Sequence, residues 1–208
     1  MLATICILAG GLGQRLGQRT ARTPKPLIEV AGEPFLFHQL RLLAEHGAER
    51  VVLCVGYLGE MIEERVGRTR DGIAIEYSYD SPQLDGTLGA IRRALPLLGD
   101  RFLILYGDTY LRLDYRAALA GWIESDAPAL MTVLRNEGRW DTSNVVYAGG
   151  RVLVYDKRHL TSDMHWIDHG LGGLRSDALG AVEESEGDLA VLYQRLAQSG
   201  SLYGYVAT

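Results

Sequence analysis

Apolar residues recur with two different spacings along the chain. Through the first half, short unbroken apolar runs alternate with longer segments whose apolar residues recur every three or four positions. Unbroken runs are typical of parallel strands buried on both faces, and the longer period is typical of amphipathic helices. We therefore expect strands near 3–9, 28–30, 51–55, 73–77 and 102–106, and helices over 34–46, 58–66 and a stretch that ends at Leu95.

In the second half, the apolar runs lie closer together and the helical segments are fewer. Strands are expected near 129–135, 144–147, 151–156, 171–174 and 202–206, with helices over about 114–124 and 188–198. Strand–helix alternation followed by denser strands predicts an α/β fold: a Rossmann-like, mostly parallel sheet with added mixed or antiparallel strands and helices on both faces. Since no linker or repeat interrupts the pattern, we expect residues 1–208 to form a single domain.

Composition narrows the classes of function. A chain of 208 residues with 47% apolar content can bury one α/β core. A net charge of −5 without a basic run argues against nucleic acid as a partner, so we expect a few placed cations to attract any anionic substrate. The apolar runs are too short to span a membrane, and the first is better explained as a strand than as a leader. Cys6 and Cys54 lie inside apolar runs, which favours free core thiols in a cytoplasmic protein.

The first strand ends in a glycine-rich loop that is the strongest candidate for a ligand site. Glycines let backbone N–H groups approach a phosphate closely, because no Cβ intervenes. Arg15 offers a forked donor for phosphate oxygens, and Lys25 is a compact cation held between two prolines. A glycine-rich turn with two solvated cations is the alternative. A dinucleotide-binding turn is excluded by the G-x-G-x-x-x-G spacing, and a Walker A loop by the lack of a following G-K-[ST].

The loop resembles the signature of the sugar-1-phosphate nucleotidylyltransferases. That signature is L-A-G-G-x-G-[ST]-R-[LM] followed by P-K-P; here Gln14 stands where Ser or Thr is usual. The family condenses a nucleoside triphosphate with a sugar 1-phosphate, releases pyrophosphate and has the nucleotide-diphospho-sugar transferase fold. The resemblance implies that Arg15 and Lys25 are catalytic. It also implies nucleotide binding by Leu8, Ala9, Gly10, Gly11 and Gly13.

Asp108 is the candidate metal ligand. It follows an apolar strand and a glycine, so we expect its carboxylate to lie at the edge of the sheet where open α/β sheets bind ligands. Carboxylate oxygen suits Mg²⁺, which also bridges to substrate phosphates. A turn or helix-capping residue is the alternative. The family has a metal-ligating Asp after this strand, and Tyr106-Gly107-Asp108 matches it.

A turn over 85–90 resembles the family's L-G-T-[AG]-[GH]-A turn, which packs against the nucleoside base. Gly86 would admit a planar ring, and Thr87 would either hydrogen-bond the base or cap the following helix. Members that use uracil or thymine commonly carry Gln five residues before this glycine, where this chain has Ser81. We assign Ser81 to the nucleotide site. Because this position is Ser rather than Gln, it favours a purine base over uracil or thymine.

Two later segments resemble the part of the family that holds the sugar phosphate. Lys157 follows a strand, as does the family's phosphate-binding lysine, and it is one of two lysines among 21 basic residues. Asp168 and Gly170 lie in a segment similar to the family's [VI]-N-x-G-[IVL] strand, with Asp where Asn is common. His165 and His169 are four residues apart in an expected strand, where the two rings do not converge on a zinc ion.

The sequence therefore predicts a Mg²⁺-dependent nucleotidyltransferase, most like the bacterial heptose-1-phosphate guanylyltransferases, with muramate-type uridylyltransferases second. We expect GTP and a heptose or mannose-like sugar 1-phosphate; UTP or dTTP is the alternative. A regulatory protein that only binds nucleotide-sugars and a glycosyltransferase of similar fold are further alternatives, although the latter would need an Asp-x-Asp motif that Gly107–Tyr110 lacks. The family's second metal ligand follows the last strand, and this sequence stops at Thr208, just short of that position. We expect either that the domain is cut short there or that the second ligand is absent. The sequence does not predict an oligomeric state.

Overall fold

The computed structural model describes residues 2–11, 22–81 and 85–207. Its Cα positions cluster into two compact units, Met1–Tyr110 and Leu111–Thr208, and each is described by itself. That the whole chain forms one domain stays a prediction.

The first unit contains a parallel sheet with helices between its strands. Its elements are β1 (Thr4–Leu8), β2 (Glu29–Val30), β3 (Glu33–Pro34), α1 (Phe35–Glu45), β4 (Arg50–Val55), α2 (Gly59–Val66), β5 (Thr69–Arg70), β6 (Ile73–Tyr79), α3 (Gly86–Leu98) and β7 (Arg101–Tyr106). The strand order is β5-β6-β4-β1-β7; β6, β4, β1 and β7 are parallel, and the short β5 is antiparallel to β6. β2 and β3 form a separate two-stranded hairpin.

The apolar runs explain this arrangement. Consecutive residues Ile5, Cys6 and Ile7 of β1 are all buried, as are residues 51–55 of β4, so both faces of these strands are covered. Helix α3 packs on β1, β4 and β6 through an apolar face that includes Ile91 and Ala94. Because the four parallel strands run in the same direction, their carboxyl ends meet at one edge.

The second unit contains a mostly antiparallel sheet. Its elements are α4 (Tyr115–Ser125), β8 (Ala129–Arg135), β9 (Val145–Ala148), β10 (Arg151–Tyr155), β11 (Trp166–Arg175), α5 (Leu189–Gln198) and β12 (Leu202–Val206). The strand order is β11-β8-β12-β10-β9. β12 runs parallel to β8, the other neighbours are antiparallel, and β9 also pairs with β11.

The fold-class prediction is confirmed, and the differences in detail have physical causes. The strand expected near 28–30 is β2, whereas β3 and β5 were not predicted, because two residues are too few to show a period. α3 continues past Pro96 to Leu98 because Leu98 is buried and Gly99 then ends the helix with φ +75°. Within the three described ranges, every helix is too short or too polar to cross a bilayer.

Candidate active site

The loops at the carboxyl edge of the first unit surround a cavity of about 310 Å³. Most of the sequence-predicted nucleotide and catalytic residues in the described ranges line it. These are Leu8, Ala9, Gly10, Gly11, Lys25, Gly86, Thr87 and Asp108. Ser81 lies outside the described lining, and the predicted Gly13 and Arg15 fall outside the described residues. The structure thus brings together segments that lie up to a hundred positions apart in the sequence.

The glycine loop begins where β1 ends and is held against β4. The backbone N–H of Ala9 donates to the carbonyl of Cys54 at 2.8 Å, which continues the strand pairing by one residue. A Cβ on Gly10 would collide with the carboxylate of Asp80 and would lie 3.2 Å from the backbone nitrogen of Gly56. Glycine at position 10 therefore allows these neighbouring loops to approach closely without displacing Asp80.

Asp80 is a cavity residue that the sequence analysis did not assign. It follows β6, and its backbone N–H donates to the carbonyl of Val55 at 2.8 Å. Burial raises the pKa of its carboxyl, Arg93 opposes that shift and Asp85 adds to it. The signal in the sequence is the position of this residue after a strand. Asp80 directly follows β6, and Asp108 follows β7 after one intervening glycine.

Lys25 and Asp108 form an ion pair at the mouth of the cavity. The Nζ of Lys25 lies 2.5 Å from Oδ2 of Asp108, and the two side chains are 38% and 47% exposed. Lys25 opens a short 3-10 turn whose next two residues, Pro26 and Leu27, are buried and anchor it. Lys25 and Asp108 are therefore a cation and a carboxylate that a ligand can reach.

The turn before α3 forms another wall of the cavity. Gly86 has φ +73°, a conformation that favours glycine, and it is the first residue of the helix. Asp85 occupies the N-cap position; its carboxylate accepts from the hydroxyl of Ser81 at 2.9 Å and pairs with Arg93. Thr87 is the second helical residue, so the alternative that it caps the helix is wrong.

Two thiols lie below the glycine loop. Cys6 and Cys54 are free and buried, their Sγ atoms are 3.4 Å apart, and Cys54 lines the cavity. The contact with Cys54, together with burial, raises the pKa of Cys6 well above its usual value. Because a buried free cysteine behaves as a small hydrophobic residue, Cys54 gives this wall of the cavity an apolar character.

The second unit holds a polar cluster around Asp168, whose side chain is 15% exposed. The carboxylate accepts from the hydroxyl of Tyr155 at 3.2 Å and from the backbone N–H of Gly170 at 3.0 Å, and the Nζ of Lys157 lies 3.9 Å away. Burial raises the pKa of this carboxyl, and Lys157 opposes the shift. All three predicted sugar-phosphate residues are therefore in one cluster. Burial likewise lowers the pKa of the adjacent His169.

The turn that carries Lys157 is fixed by its neighbour Asp156. Its carboxylate accepts from the backbone N–H groups of Arg158 at 2.7 Å and His159 at 2.9 Å, and from the side-chain amide of Gln194 at 3.0 Å. The bonds from His159 and Arg158 hold the pKa of this carboxyl below its usual value. Lys157 consequently projects from a turn anchored to α5.

Comparison with known proteins supports a nucleotide-transferring family. The family model described as "MobA-like NTP transferase domain" matches residues 5–197. A D-glycero-alpha-D-manno-heptose 1-phosphate guanylyltransferase from Aneurinibacillus thermoaerophilus is 32% identical over 160 residues, which cover 76% of this chain and 68% of that protein. An N-acetylmuramate alpha-1-phosphate uridylyltransferase from Neisseria meningitidis serogroup B is 40% identical over 114 residues, which cover 54% of this chain and 49% of that protein.

A CMP-5'-(3-aminopropyl)phosphonate synthase from Streptomyces rubellomurinus is 38% identical over 130 residues, 62% of this chain and 21% of that protein. The chain therefore spans a fifth to two thirds of the length of these three relatives. Among solved structures, HddC from Yersinia pseudotuberculosis complexed with GMP-PN has a TM-score of 0.80 at 23% identity, covering 99% of this chain and 91% of that one. This likeness shows the fold.

Proposed function

Because the chain belongs to the MobA-like NTP transferase domain family, we propose that it joins a nucleoside triphosphate to a sugar 1-phosphate and releases pyrophosphate. The observation that carries the proposal is the cavity in which the glycine loop, Lys25 and Asp108 meet. GTP is the preferred nucleotide and a heptose or mannose-like sugar 1-phosphate the preferred acceptor. The heptose 1-phosphate guanylyltransferase among the relatives supports this choice.

The reaction is an in-line substitution at the α-phosphorus of the nucleotide. An oxygen of the sugar phosphate forms the new bond to this phosphorus, the bond to the bridging oxygen of the β-phosphate breaks, and pyrophosphate leaves with that electron pair. Such transfers depend on positioning and on neutralising charge. Backbone N–H groups of the glycine loop and the ammonium group of Lys25 would hold the triphosphate, and Arg15 would assist them.

Asp108 would hold the Mg²⁺ that the proposed reaction uses. The donor set fits, because Mg²⁺ binds proteins through one or two carboxylates together with substrate phosphates, and Asp108 is a reachable carboxylate in the cavity. Within the described ranges, no cluster of three His, Cys, Asp or Glu residues competes for such an ion. When bound, the ion would neutralise phosphate charge as a Lewis acid.

Asp80 supports the preference for guanine. The Watson–Crick edge of guanine carries two adjacent donors, N1–H and the N2 amino group, and a carboxylate can accept from both. Uracil and thymine present one N3–H between two carbonyl oxygens, which a carboxylate repels. The shared cavity of Asp80, Gly86 and Thr87 supports a role for Asp80 in choosing the base.

The cluster in the second unit would bind the acceptor. The ammonium group of Lys157 would attract its phosphate, and the carboxylate of Asp168 would accept hydrogen bonds from sugar hydroxyls. The positive φ of Gly170, +105°, lets its N–H turn towards Asp168 and keep the carboxylate oriented. We further propose a cytoplasmic location, which the free thiols Cys6 and Cys54 support.

The direct test is pyrophosphate release with Mg²⁺ across GTP, UTP, dTTP, CTP and ATP, each offered with heptose, mannose, glucose and N-acetylmuramate 1-phosphates. We expect the fastest release with GTP and a heptose or mannose 1-phosphate. Equilibrium binding of each nucleotide is measured in parallel. Binding without release for every pair would contradict the transferase proposal and favour a nucleotide-sugar-binding regulatory protein.

A further inference from the structure

A buried glutamine lies directly beneath the turn that carries Asp108. Gln39 belongs to α1 and is 1% exposed. Its side-chain nitrogen Nε2 donates to two backbone carbonyls, that of Tyr106 at 2.9 Å and that of Thr109 at 2.8 Å. These carbonyls stand on either side of Gly107 and Asp108, so one amide group holds both ends of the turn.

The orientation of this amide is fixed by its surroundings. Both groups that it meets are carbonyl acceptors, and only the NH₂ end of a glutamine can donate to them. Among the residues that the structure describes, no donor reaches the other end, Oε1. Burying an acceptor in this way costs free energy, and the two bonds that Nε2 makes offset that cost.

Further bonds make the turn rigid. The N–H of Thr109 donates to the carbonyl of Tyr106 at 3.1 Å, and the N–H of Gly107 donates to the carbonyl of Leu8 at 2.9 Å. A Cβ on Gly107 would lie 3.2 Å from the Cα of Ala9, so the turn also packs directly on the glycine loop. Gln39 is the side chain that ties this assembly to a helix.

We propose that Gln39 is a positioning residue for Asp108: it sets the direction in which the carboxylate leaves the turn and so its readiness to hold a divalent cation. The inference rests on the proposed function, because it assigns Gln39 a role in that same site. Residues that orient a metal ligand typically change metal affinity or activity by about 10–100-fold when they are replaced.

The principal test replaces Gln39 with Met, which keeps the length of the side chain and removes the donor. Mn²⁺ binding in the presence of a non-hydrolysable GTP analogue is followed by electron paramagnetic resonance, with kcat and the KM for sugar 1-phosphate measured separately. We expect the Mn²⁺ dissociation constant to rise and kcat to fall, each by about 10–100-fold, with KM for the sugar phosphate unchanged.

Tyr77→Phe is the matched control. It removes a side-chain hydrogen bond to a backbone carbonyl in the same unit, the 2.6 Å bond from Tyr77 to Gly67, away from the cavity. We expect this variant to keep the wild-type Mn²⁺ affinity and kcat. Equal losses of Mn²⁺ affinity in the two variants, or none in a folded Gln39→Met protein, would overturn the positioning role.

A second variant covers the case in which Gln39→Met does not fold. Gln39→Glu keeps the shape of the side chain, but the introduced carboxyl donates a hydrogen bond only while it is protonated. We expect its kcat relative to wild type to rise as the introduced carboxyl gains its proton, and a ratio that stays flat through that protonation, followed by infrared spectroscopy of the carboxyl band, would contradict the proposal. If wild type itself neither binds GTP nor releases pyrophosphate, the proposed function fails. Amide exchange of Thr109 in Gln39→Glu then decides the turn-holding role: faster exchange supports it and an unchanged rate overturns it.

Discussion

The carboxylates of the two units stand in opposite surroundings. Asp108 of the first unit is about half exposed and pairs with a lysine that a ligand can reach. Asp168 of the second unit is nearly buried and already accepts from Tyr155 and Gly170. An exposed carboxylate can exchange its partner for an incoming ion, whereas a buried one with fixed partners is suited to orient a ligand. The ends of the parallel strands thus carry a carboxylate that can change partners, and the antiparallel sheet carries one that is held in a fixed direction.

The largest effect should come from the exposed pair. Lys25→Ala removes a cation that the proposal places on the triphosphate, and losing one such electrostatic contact typically lowers the rate by about 10²–10³-fold. Pyrophosphate release under saturating substrates measures the change in kcat. Arg50→Ala is the control, because Arg50 forms a comparable ion pair with Glu76 at 2.6 Å away from the cavity. Unchanged turnover in Lys25→Ala would remove Lys25 from the catalytic site.

Asp80→Asn should change the choice of base more than the rate. The amide keeps one acceptor and gains a donor that opposes the donors of guanine, so we expect the ratio of kcat/KM for GTP over UTP to fall by about 10–100-fold. Competition between the two nucleotides in one reaction measures the ratio. Glu76→Gln on the same β6 strand should leave it unchanged. A preserved ratio in Asp80→Asn would show that the base is selected elsewhere.

In the second unit, Tyr155→Phe removes one of the bonds that hold Asp168. We expect the KM for sugar 1-phosphate to rise about 3–10-fold with the KM for nucleotide unchanged. The hydroxyl of Tyr155 would act on the acceptor only through Asp168, so we expect the loss to be no larger than that of a typical single hydrogen bond, roughly 1 kcal/mol. Initial rates at varied concentrations of each substrate separate the two constants. Tyr205→Phe, on β12, serves as the control for losing a tyrosine hydroxyl. A rise in both constants would indicate a general structural defect.

The smallest expected effect is a pH-dependent change in the free energy of unfolding. Burial raises the pKa of Asp168 in the folded protein, so ionisation there opposes folding. Its contribution is most favourable below the pKa of the unfolded chain and is lost as the pH rises through the folded value. Asp168→Asn should therefore gain in free energy of unfolding, relative to wild type, as the pH rises from about 4, the ordinary carboxyl value, through the raised folded value. Urea unfolding across this range measures the difference.

Asp156→Asn should give the opposite slope in the same experiment. Bonds from His159 and Arg158 lower the pKa of Asp156, so its stabilisation is present above the ordinary carboxyl range and is lost as the pH falls through the lowered folded value. We therefore expect the difference between this variant and wild type to shrink in acid. If the difference in free energy of unfolding from wild type changed with pH in the same direction for both variants, the surroundings described for the two carboxylates would be contradicted.

The sequence predicted those parts of the candidate site whose residues form a recognisable motif within a single segment. The loop after β1, Lys25 and the Gly107–Asp108 turn were each identified from their own residues, and the structure brings them to one cavity. Asp80 was missed because its importance depends on which strand ends become neighbours. Gln39 was missed because a glutamine inside a helix has no local signature, and its partners lie about 70 residues away.

The bounds of β11 were hard to predict because the strand contains several glycines. Its apolar run predicted a strand near 171–174, and the segment before it was assigned to a strand through the family resemblance. In the structure one continuous strand begins at Trp166 and contains three glycines within four positions. Locally, glycine weakens a strand. In the fold, a Cβ on Gly173 would lie 2.7 Å from the ring of Trp122, so the absence of a side chain makes room for a large aromatic residue of α4. Tertiary packing therefore overrides the local preference.

The central position of β1 has a consequence for how such a site can diversify. β4 and β6 lie on one side of it and β7 on the other, so the loop that bears Asp80 and the turn that bears Asp108 flank the glycine loop from opposite directions. On the proposed function, substitutions around Asp80 would alter which nucleotide is chosen without disturbing the turn that would hold the cation. The same scaffold would then acquire a new donor substrate while the catalytic groups on the other side of the glycine loop stay unchanged.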